Sequence, residues 1–253
     1  MFILNSMNVN SLIAQQKENM NRDWKDSIIS AQENELQKYL WNLSLETWYS
    51  LIGDSLVWKT VLIVCAWNGY DANFWHQKWA TVTATDLSEE ACRKIQERNS
   101  DILVQVENAE NLSFQDNSFD YVIVRAGLHH LPRPTIWIYE MLRVAKKGIL
   151  FMEAQDSLIM RILRKTWLVL EIEPSWNYVY TFTRREIEKL CKTMFLPDPK
   201  IQTFFFQHVP FLTQLYTKLN WKHWLVLYKW ILSLLNLLFW YWGNNFICYI
   251  KKQ

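Results

Sequence analysis

The chain has 253 residues, half of them hydrophobic, enough for one large domain with a substantial core. Its net charge of +2 offers no single-sign field of the kind that marks a nucleic-acid surface. The four cysteines (Cys65, Cys92, Cys191, Cys248) stand far apart without a C-x-x-C pair, which argues against a disulfide framework and a cysteine zinc site and fits a reducing, cytoplasmic setting.

Residues 1–10 lack the basic stretch and long apolar run of a signal peptide. Residues 11–53 are polar with scattered apolar positions and are predicted to form two or three helices. Asn42-Leu43-Ser44 is the expected break, with Ser44 as a helix cap. From residue 60 the pattern changes. Thr60–Cys65 (TVLIVC) is a continuous apolar, β-branched run, as in a strand buried on both faces. A helix is predicted over 70–78, a strand over Ala80–Thr85, and a helix from the Ser88 cap to about Arg98. Strands follow at Ile102–Val106 and Asp120–Arg125, then a helix over Thr135–Val144 and a strand over Gly148–Glu153. Ser157–Leu170 reads as a helix, and Thr183-Arg184-Arg185-Glu186 as a capping box opening another. Ile201–His208 and Phe246–Lys251 read as the last strands, separated by an apolar helical stretch, Phe211–Tyr241. Within that stretch Lys229, Ser233 and Asn236 share one helix face, and Leu225, Tyr228, Leu232, Leu235 and Phe239 another. This reads as an amphipathic helix, packed on the domain or lying at a membrane surface.

Strand–helix alternation at this spacing implies right-handed βαβ units and a parallel sheet, whose ligands bind at the carboxyl ends of the strands. The expected organisation is a helical cap over 1–55, a Rossmann-like core over 56–155, and C-terminal helices with the last two strands over 156–253 completing the same domain.

Glycine and tryptophan are out of balance. There are 5 glycines and 15 tryptophans, whereas glycine alone usually makes up roughly 7% of a chain. Several tryptophans sit where a turn is expected. Trp58 precedes a strand, Trp79 follows a helix, Trp176 lies in Pro174-Ser175-Trp176-Asn177, and Trp240 and Trp242 precede Gly243-Asn244-Asn245. A helix-terminating C′ position or a tight turn favours glycine because it must reach positive φ. This is the pattern expected when UGA codons, which some lineages translate as glycine, are read as tryptophan. UGG codons at Trp58, Trp67 and Trp79 would rule it out.

The residues that carry chemistry cluster at strand ends. Strand one leads into Cys65-Ala66-Trp67-Asn68-Gly69, a turn that can bring backbone close to a cofactor. Asp86 ends strand two, where a carboxylate can accept hydrogen bonds from a ribose diol, although an Asp in Asp-Leu-Ser-Glu can also simply cap a helix. Strand three is followed by Asn108-Ala109-Glu110, and strand four by Arg125-Ala126-Gly127 and Leu128-His129-His130-Leu131-Pro132.

The stretches VLIVCAWNGYDA (61–72), TVTATDLSEEA (81–91), ENAENLSFQDNSFDYVIVRAGLHHL (107–131) and EMLRVAKKGILFMEA (140–154) come in the order and spacing of a known family. Residues 58–153 resemble class I S-adenosylmethionine (SAM) dependent methyltransferases, most closely the domain of the ubiquinone/menaquinone-biosynthesis type. The resemblance implies a three-layer α/β sandwich with a seven-stranded, mostly parallel sheet in the order 3-2-1-4-5-7-6, and extra helices at both ends. It implies that Cys65, Ala66, Trp67 and Gly69 lie against the methionine part of SAM. Asp86 would bind the ribose hydroxyls, with Leu87 beside the adenine and Asn108 and Ala109 at its edge. Arg125 and Ala126 would line the methyl-donor pocket, and His129 or His130 would face the acceptor as a candidate general base. Glu153 would either reach the acceptor pocket or be a solvated strand-end residue.

The chain departs from the family pattern at Ile63, where an acidic residue is usual, at Asn108, where Asp is usual, and at Trp67, whose indole would fill space SAM needs. If Trp67 is genuine, a catalytically inactive methyltransferase-fold binding module becomes the alternative to a methyltransferase. The turn lacks G-x-G-x-x-G, which argues against a nicotinamide oxidoreductase. The adjacent histidines share no helix face and no paired carboxylate accompanies them, so no metal site is expected. The expected partners are SAM and a small-molecule or lipid-like acceptor, with membrane contact, if any, peripheral and through the 211–241 helix; neither nucleic acid nor an obligate protein partner is expected.

Overall fold

A computed structural model describes residues 8–26, 35–133, 135–166, 171–172, 178–204 and 222–252. The seven strands are β1 (Thr60–Val64), β2 (Thr81–Asp86), β3 (Leu103–Val106), β4 (Phe119–Arg125), β5 (Ala145–Ala154), β6 (Lys200–Phe204) and β7 (Asn245–Lys251). They form one sheet in the order β3-β2-β1-β4-β5-β7-β6. β1 to β5 pair in parallel, while β7 runs antiparallel to both β5 and β6. The helices among the described residues are α1 (Val9–Asp26), α2 (Glu35–Ile52), α3 (Tyr70–Gln77), α4 (Glu89–Arg98), α5 (Ile136–Val144), α6 (Leu158–Lys165), α7 (Arg184–Thr193) and α8 (Lys222–Phe239).

β1 is an interior strand, paired with β2 and β4, and its residues Val61 to Val64 are all buried. Their alternating side chains feed two separate cores. Val61 and Ile63 pack with α2, α3 and α8; Leu62 and Val64 pack with α5 and α7. Burying each such side chain contributes about 1.5–3 kcal/mol relative to leaving it in water. That is why a short β-branched run with no polar face sits in the middle of the sandwich.

The predicted caps form. Ser88 accepts a hydrogen bond from the Ala91 N–H at 3.2 Å. Thr183 and Glu186 make the reciprocal capping box that starts α7. The break predicted at Asn42-Leu43-Ser44 does not occur. α2 runs through it, and the buried Ser44 hydroxyl donates to the Trp41 carbonyl at 2.7 Å, so the polar group is satisfied inside the helix instead of capping one. β5 begins at Ala145, earlier than predicted, directly after α5.

In α8, Tyr228 and Leu232 are buried against the domain, as the apolar face predicts. The rest of its surface is not simply polar. Leu227, Trp230, Leu234, Leu237 and Leu238 are exposed, and the Lys229 ammonium rests over the Tyr39 ring. No helix among the described residues is long and apolar enough to cross a membrane. The turn predicted around Trp176, residues 167–170 of the predicted sixth helix, residues 205–208 of the sixth strand and residues 211–221 of the long apolar helix lie outside the described residues.

The tryptophans fall into two kinds. Trp48, Trp75 and Trp137 are fully buried in helices. Trp137 sets its ring edge-on to Phe151 and Phe182, with centroids 5.0 and 5.7 Å away. Trp58, Trp67 and Trp79 instead have φ of 62°, 50° and 62°. For a side chain of that size this left-handed backbone is an outlier, costing about 1–2 kcal/mol at each position. Trp79 occupies the C′ position of α3. Its N–H donates to the His76 carbonyl at 2.9 Å and the next N–H, of Ala80, to the Trp75 carbonyl at 3.4 Å. That pair of bonds is a Schellman motif, which places glycine at C′. Trp240 and Trp242 lie in a single 3₁₀ turn, a conformation open to tryptophan.

Candidate active site

The carboxyl ends of β1, β2 and β4 converge on one narrow cleft. Cys65 borders it from β1, Asp86 and Leu87 from β2, Asn108 and Ala109 from the loop after β3, and Gly127 from the loop after β4. The turn out of β1 is closed by the Gly69 N–H, which donates to the Ala66 carbonyl at 2.8 Å. Trp67 is its first central residue, and turns with positive φ there favour glycine. Gly69 itself has φ 72° and caps α3. The ends of β1 and β4 touch: a Cβ built on Gly127 would lie 2.5 Å from the Cys65 Cβ, so only glycine lets the two loops frame the same hollow.

Asp86 joins these parts. It is 1% exposed. Its Oδ2 accepts the Trp67 N–H at 2.9 Å, and its Oδ1 accepts the Ser88 N–H at 2.9 Å. The carboxylate thus fixes the β1–α3 turn and the start of α4 at once, and both its cap-like role and its position on the cleft are realised. Burial raises its pKa above the usual carboxylate value, against the lowering effect of those backbone hydrogen bonds. Burial also pushes the Cys65 thiol well up, reinforced by the negative charges of Asp86 and Glu153, so Cys65 stays neutral at pH 7. Asn108 turns its Oδ1 to the Glu110 N–H at 3.0 Å, an Asx turn that shapes the loop after β3.

The loop after β4 carries the histidines. Glu153, fully buried near the end of β5, accepts the Leu128 N–H at 2.8 Å and holds His129 Nδ1 at 2.8 Å. Glu153 is therefore not a solvated strand-end residue. The two imidazoles are adjacent, with centroids 4.3 Å apart, but they separate in role: His130 borders the cleft, while His129 is tied to Glu153. The buried Glu110 anchors the far side of this loop through the Arg133 N–H and guanidinium.

Of the sequence-predicted residues, Cys65, Asp86, Leu87, Asn108, Ala109 and His130 border this cleft, whereas Ala66, Trp67, Gly69, Arg125 and His129 do not. Trp67 is 37% exposed, and its N–H points to Asp86. Arg125 is not on this cleft. Its guanidinium pairs with Asp71 of α3, with Nε 2.8 Å from Oδ2, and lies 5.0 Å from the Trp41 ring. The neighbouring Ala126, at the end of β4, has φ 51° and donates its N–H to the Met152 carbonyl at 2.8 Å.

Sequence reasoning missed the roof. Gln16 and Met20 of α1 border the cleft, and Gln16 Nε2 donates to the His130 carbonyl. Lys17 pairs with Glu89, and the Ser88 hydroxyl donates to Asn21 at 2.6 Å, fastening α1 over the mouth. No local signal in a polar helix announces such long-range contacts. A wider hollow of about 640 Å³ lies at the opposite edge of the sheet, among Lys147, Lys200 and Lys252. Three of its five lysines hold the chain: Lys200 on the Leu51 carbonyl, Lys252 on those of Leu142 and Ala145, and Lys147 on Asp54. The carboxyl edge is where parallel sheets bind ligands.

Residues 63–152 match the methyltransferase domain family. A demethylmenaquinone methyltransferase of Paenarthrobacter aurescens (strain TC1) is 32% identical over 137 residues, 53% of this chain and 49% of that protein. Another, of Desulfitobacterium hafniense (strain Y51), is 40% identical over 73 residues, 26% of this chain and 29% of that protein. The chain therefore spans about half or less of the length of these curated relatives. Among solved structures, magnesium protoporphyrin IX methyltransferase of Synechocystis PCC 6803 with bound SAM superposes with a TM-score of 0.62 at 13% identity, covering 98% of this chain and 100% of that one. A Burkholderia thailandensis 1,6-didemethyltoxoflavin-N1-methyltransferase gives 0.64 at 11% identity, covering 100% and 93%. At such identities these two share the fold. The stretch over residues 63–152 is thus similar to methyltransferase domains, and the chain has the fold of SAM-dependent methyltransferases.

Proposed function

We propose that the protein transfers a methyl group from SAM to a small-molecule, apolar or lipid-like acceptor. The observation that carries this reading is the buried Asp86 carboxylate. It is held by the backbone of the β1–α3 turn and borders the same cleft as Leu87, Asn108, Ala109 and the Cβ-free Gly127. A buried carboxylate is costly without a polar or cationic partner, and two of them, Asp86 and Glu153, act on Cys65. Their combined field suits a cationic ligand.

The residues fit SAM as follows. Asp86 accepts from the ribose hydroxyls, Leu87 and Ala109 pack on the adenine, and Asn108 presents an amide to its polar edge. Cys65, Ala66, residue 67 and Gly69 give the methionine part a backbone wall. Bound there, SAM supplies an electrophilic methyl group on a positively charged sulfur. The chain's own contribution is alignment and exclusion of water by the α1 roof, effects that in well-oriented reactions reach roughly 7–11 kcal/mol. His129, with Nδ1 held by Glu153, and His130, which borders the cleft, are the candidate general bases for an acceptor hydroxyl or amine. Arg125, paired with Asp71, stiffens the wall on the α3 side.

The apolar acceptor is supported by the demethylmenaquinone methyltransferase relatives and by the exposed leucines of α8, a surface that also suits peripheral contact with lipid. The test is calorimetric titration of SAM. Asp86→Ala should abolish binding, and Asp86→Asn, which keeps one backbone hydrogen bond and the fold, should weaken it at least tenfold. Unchanged affinity in the Asn variant removes the cofactor assignment.

A further inference from the structure

We propose that the protein made by the cell carries glycine at positions 58, 67 and 79, and that the glycine at 67 is a functional element of the cofactor turn. The inference rests on the cofactor reading for its consequence at 67, but not for the residue assignment itself.

Three independent features meet at these positions. The composition has a glycine deficit matched by a tryptophan excess, with 5 of one and 15 of the other. The backbone at all three is left-handed, with φ between 50° and 62°, a region that glycine enters without steric cost and a bulky side chain does not. At two of the three the side chain also finds no burial: Trp58 is 82% exposed and Trp79 73%, against 37% for Trp67. At positions 58 and 79 an indole that is neither packed nor compatible with its own backbone has no folding role.

The local hydrogen bonds show why the backbone must bend this way. Trp79 closes α3 as the C′ residue of a Schellman motif, and its carbonyl then accepts the Trp58 N–H at 3.0 Å. Positions 58 and 79 are thus paired bends that start β1 and β2 side by side. Position 67 turns the chain out of β1 so that its N–H reaches Asp86. Left-handed φ alone does not assign glycine, since Phe195 and Asn117 also adopt it. The assignment comes from φ together with the identity of the residue: UGA separates glycine from tryptophan by reading alone, and no such reading links phenylalanine or asparagine to glycine. The core tryptophans make the contrast. Trp48, Trp75 and Trp137 are helical and fully buried, and glycine there would leave large cavities, so they are expected to be encoded by UGG.

With glycine at 67, the turn becomes Cys-Ala-Gly-Asn-Gly, and the residue whose N–H donates to Asp86 reaches its left-handed φ without steric cost. The experiment has two arms. The first reads the three codons and the peptide masses of the protein purified from its own organism. UGA codons and glycine masses at 58, 67 and 79, with UGG and tryptophan at 48, 75 and 137, are expected; tryptophan masses at 58, 67 and 79 overturn the proposal. The second arm compares the recombinant chain with the Trp58→Gly, Trp67→Gly, Trp79→Gly triple variant by thermal melting and SAM titration. A higher Tm and at least tenfold tighter SAM binding are expected. A lower Tm overturns the structural assignment. If glycine is found in the native protein and the Tm rises but SAM still does not bind, the residue assignment stands and the methyltransferase reading falls.

Discussion

The packed layers of the sandwich and the turns at its strand ends use the same residue type in opposite ways. In the layers, tryptophan is a volume element. Trp137 fills the space between α5 and β5, where Phe151 and Phe182 meet its ring edge-on. In the turns, Trp58 and Trp79 are largely exposed, and the backbone at 58, 67 and 79 resists a bulky side chain. The difference teaches that side-chain volume dictates the layers, whereas backbone conformation dictates the turns. The candidate cleft borders the second regime. Its walls include the Cβ-free Gly127 and the carboxylates of Asp86 and Glu107, and the turn that Asp86 holds depends on φ more than on packing.

Four outcomes sharpen or break that comparison, from the largest effect to the smallest. Trp137→Ala should cost about 3–5 kcal/mol in urea unfolding, as removal of a packed aromatic does; a cost below 1 kcal/mol would erase the distinction between the layers and the turns. Glu153→Gln should lower kcat by about 10²-fold, because it no longer holds the imidazole as a carboxylate does. A purely structural Glu153 would lower the amount of folded enzyme and leave kcat per folded molecule unchanged. Trp79→Gly should raise stability by about 1–2 kcal/mol, the strain released at a left-handed C′ position; a loss of stability would show that the indole packs. The smallest effect concerns pH. The folded-state pKa of Asp86 is raised by burial, so the group is progressively neutralised as pH falls through that raised value. SAM affinity, which needs the carboxylate, should therefore be full at neutral pH and decline in acid earlier than an ordinary aspartate would require. Titrations at stepped pH check the direction.

Much of the fold was legible. The TVLIVC run, the Ser88 cap and the Thr183–Glu186 capping box are local signals, and each forms where the residues indicate. The Asn42–Ser44 break failed because a buried serine can satisfy its hydroxyl on the preceding turn of a helix, so tertiary burial overrode a cap-like sequence. In the site, the strand-end residues Cys65, Asp86, Leu87, Asn108 and Ala109 were readable because strand order fixes where strand ends go. Gln16 and Met20 were not, since their contact with the His130 loop joins residues more than a hundred positions apart. The left-handed backbone of Cys65 and Ala126 was not readable either, because no residue pattern states φ directly.

A crystal structure with S-adenosylhomocysteine, the neutral product, tests the central claim most directly. The account expects the ribose hydroxyls within hydrogen-bonding distance of the Asp86 carboxylate and the adenine between Leu87 and Ala109, with α1 closed above them. Product bound elsewhere, or an Asp86 that keeps only its backbone partners while the ligand is present, would contradict it.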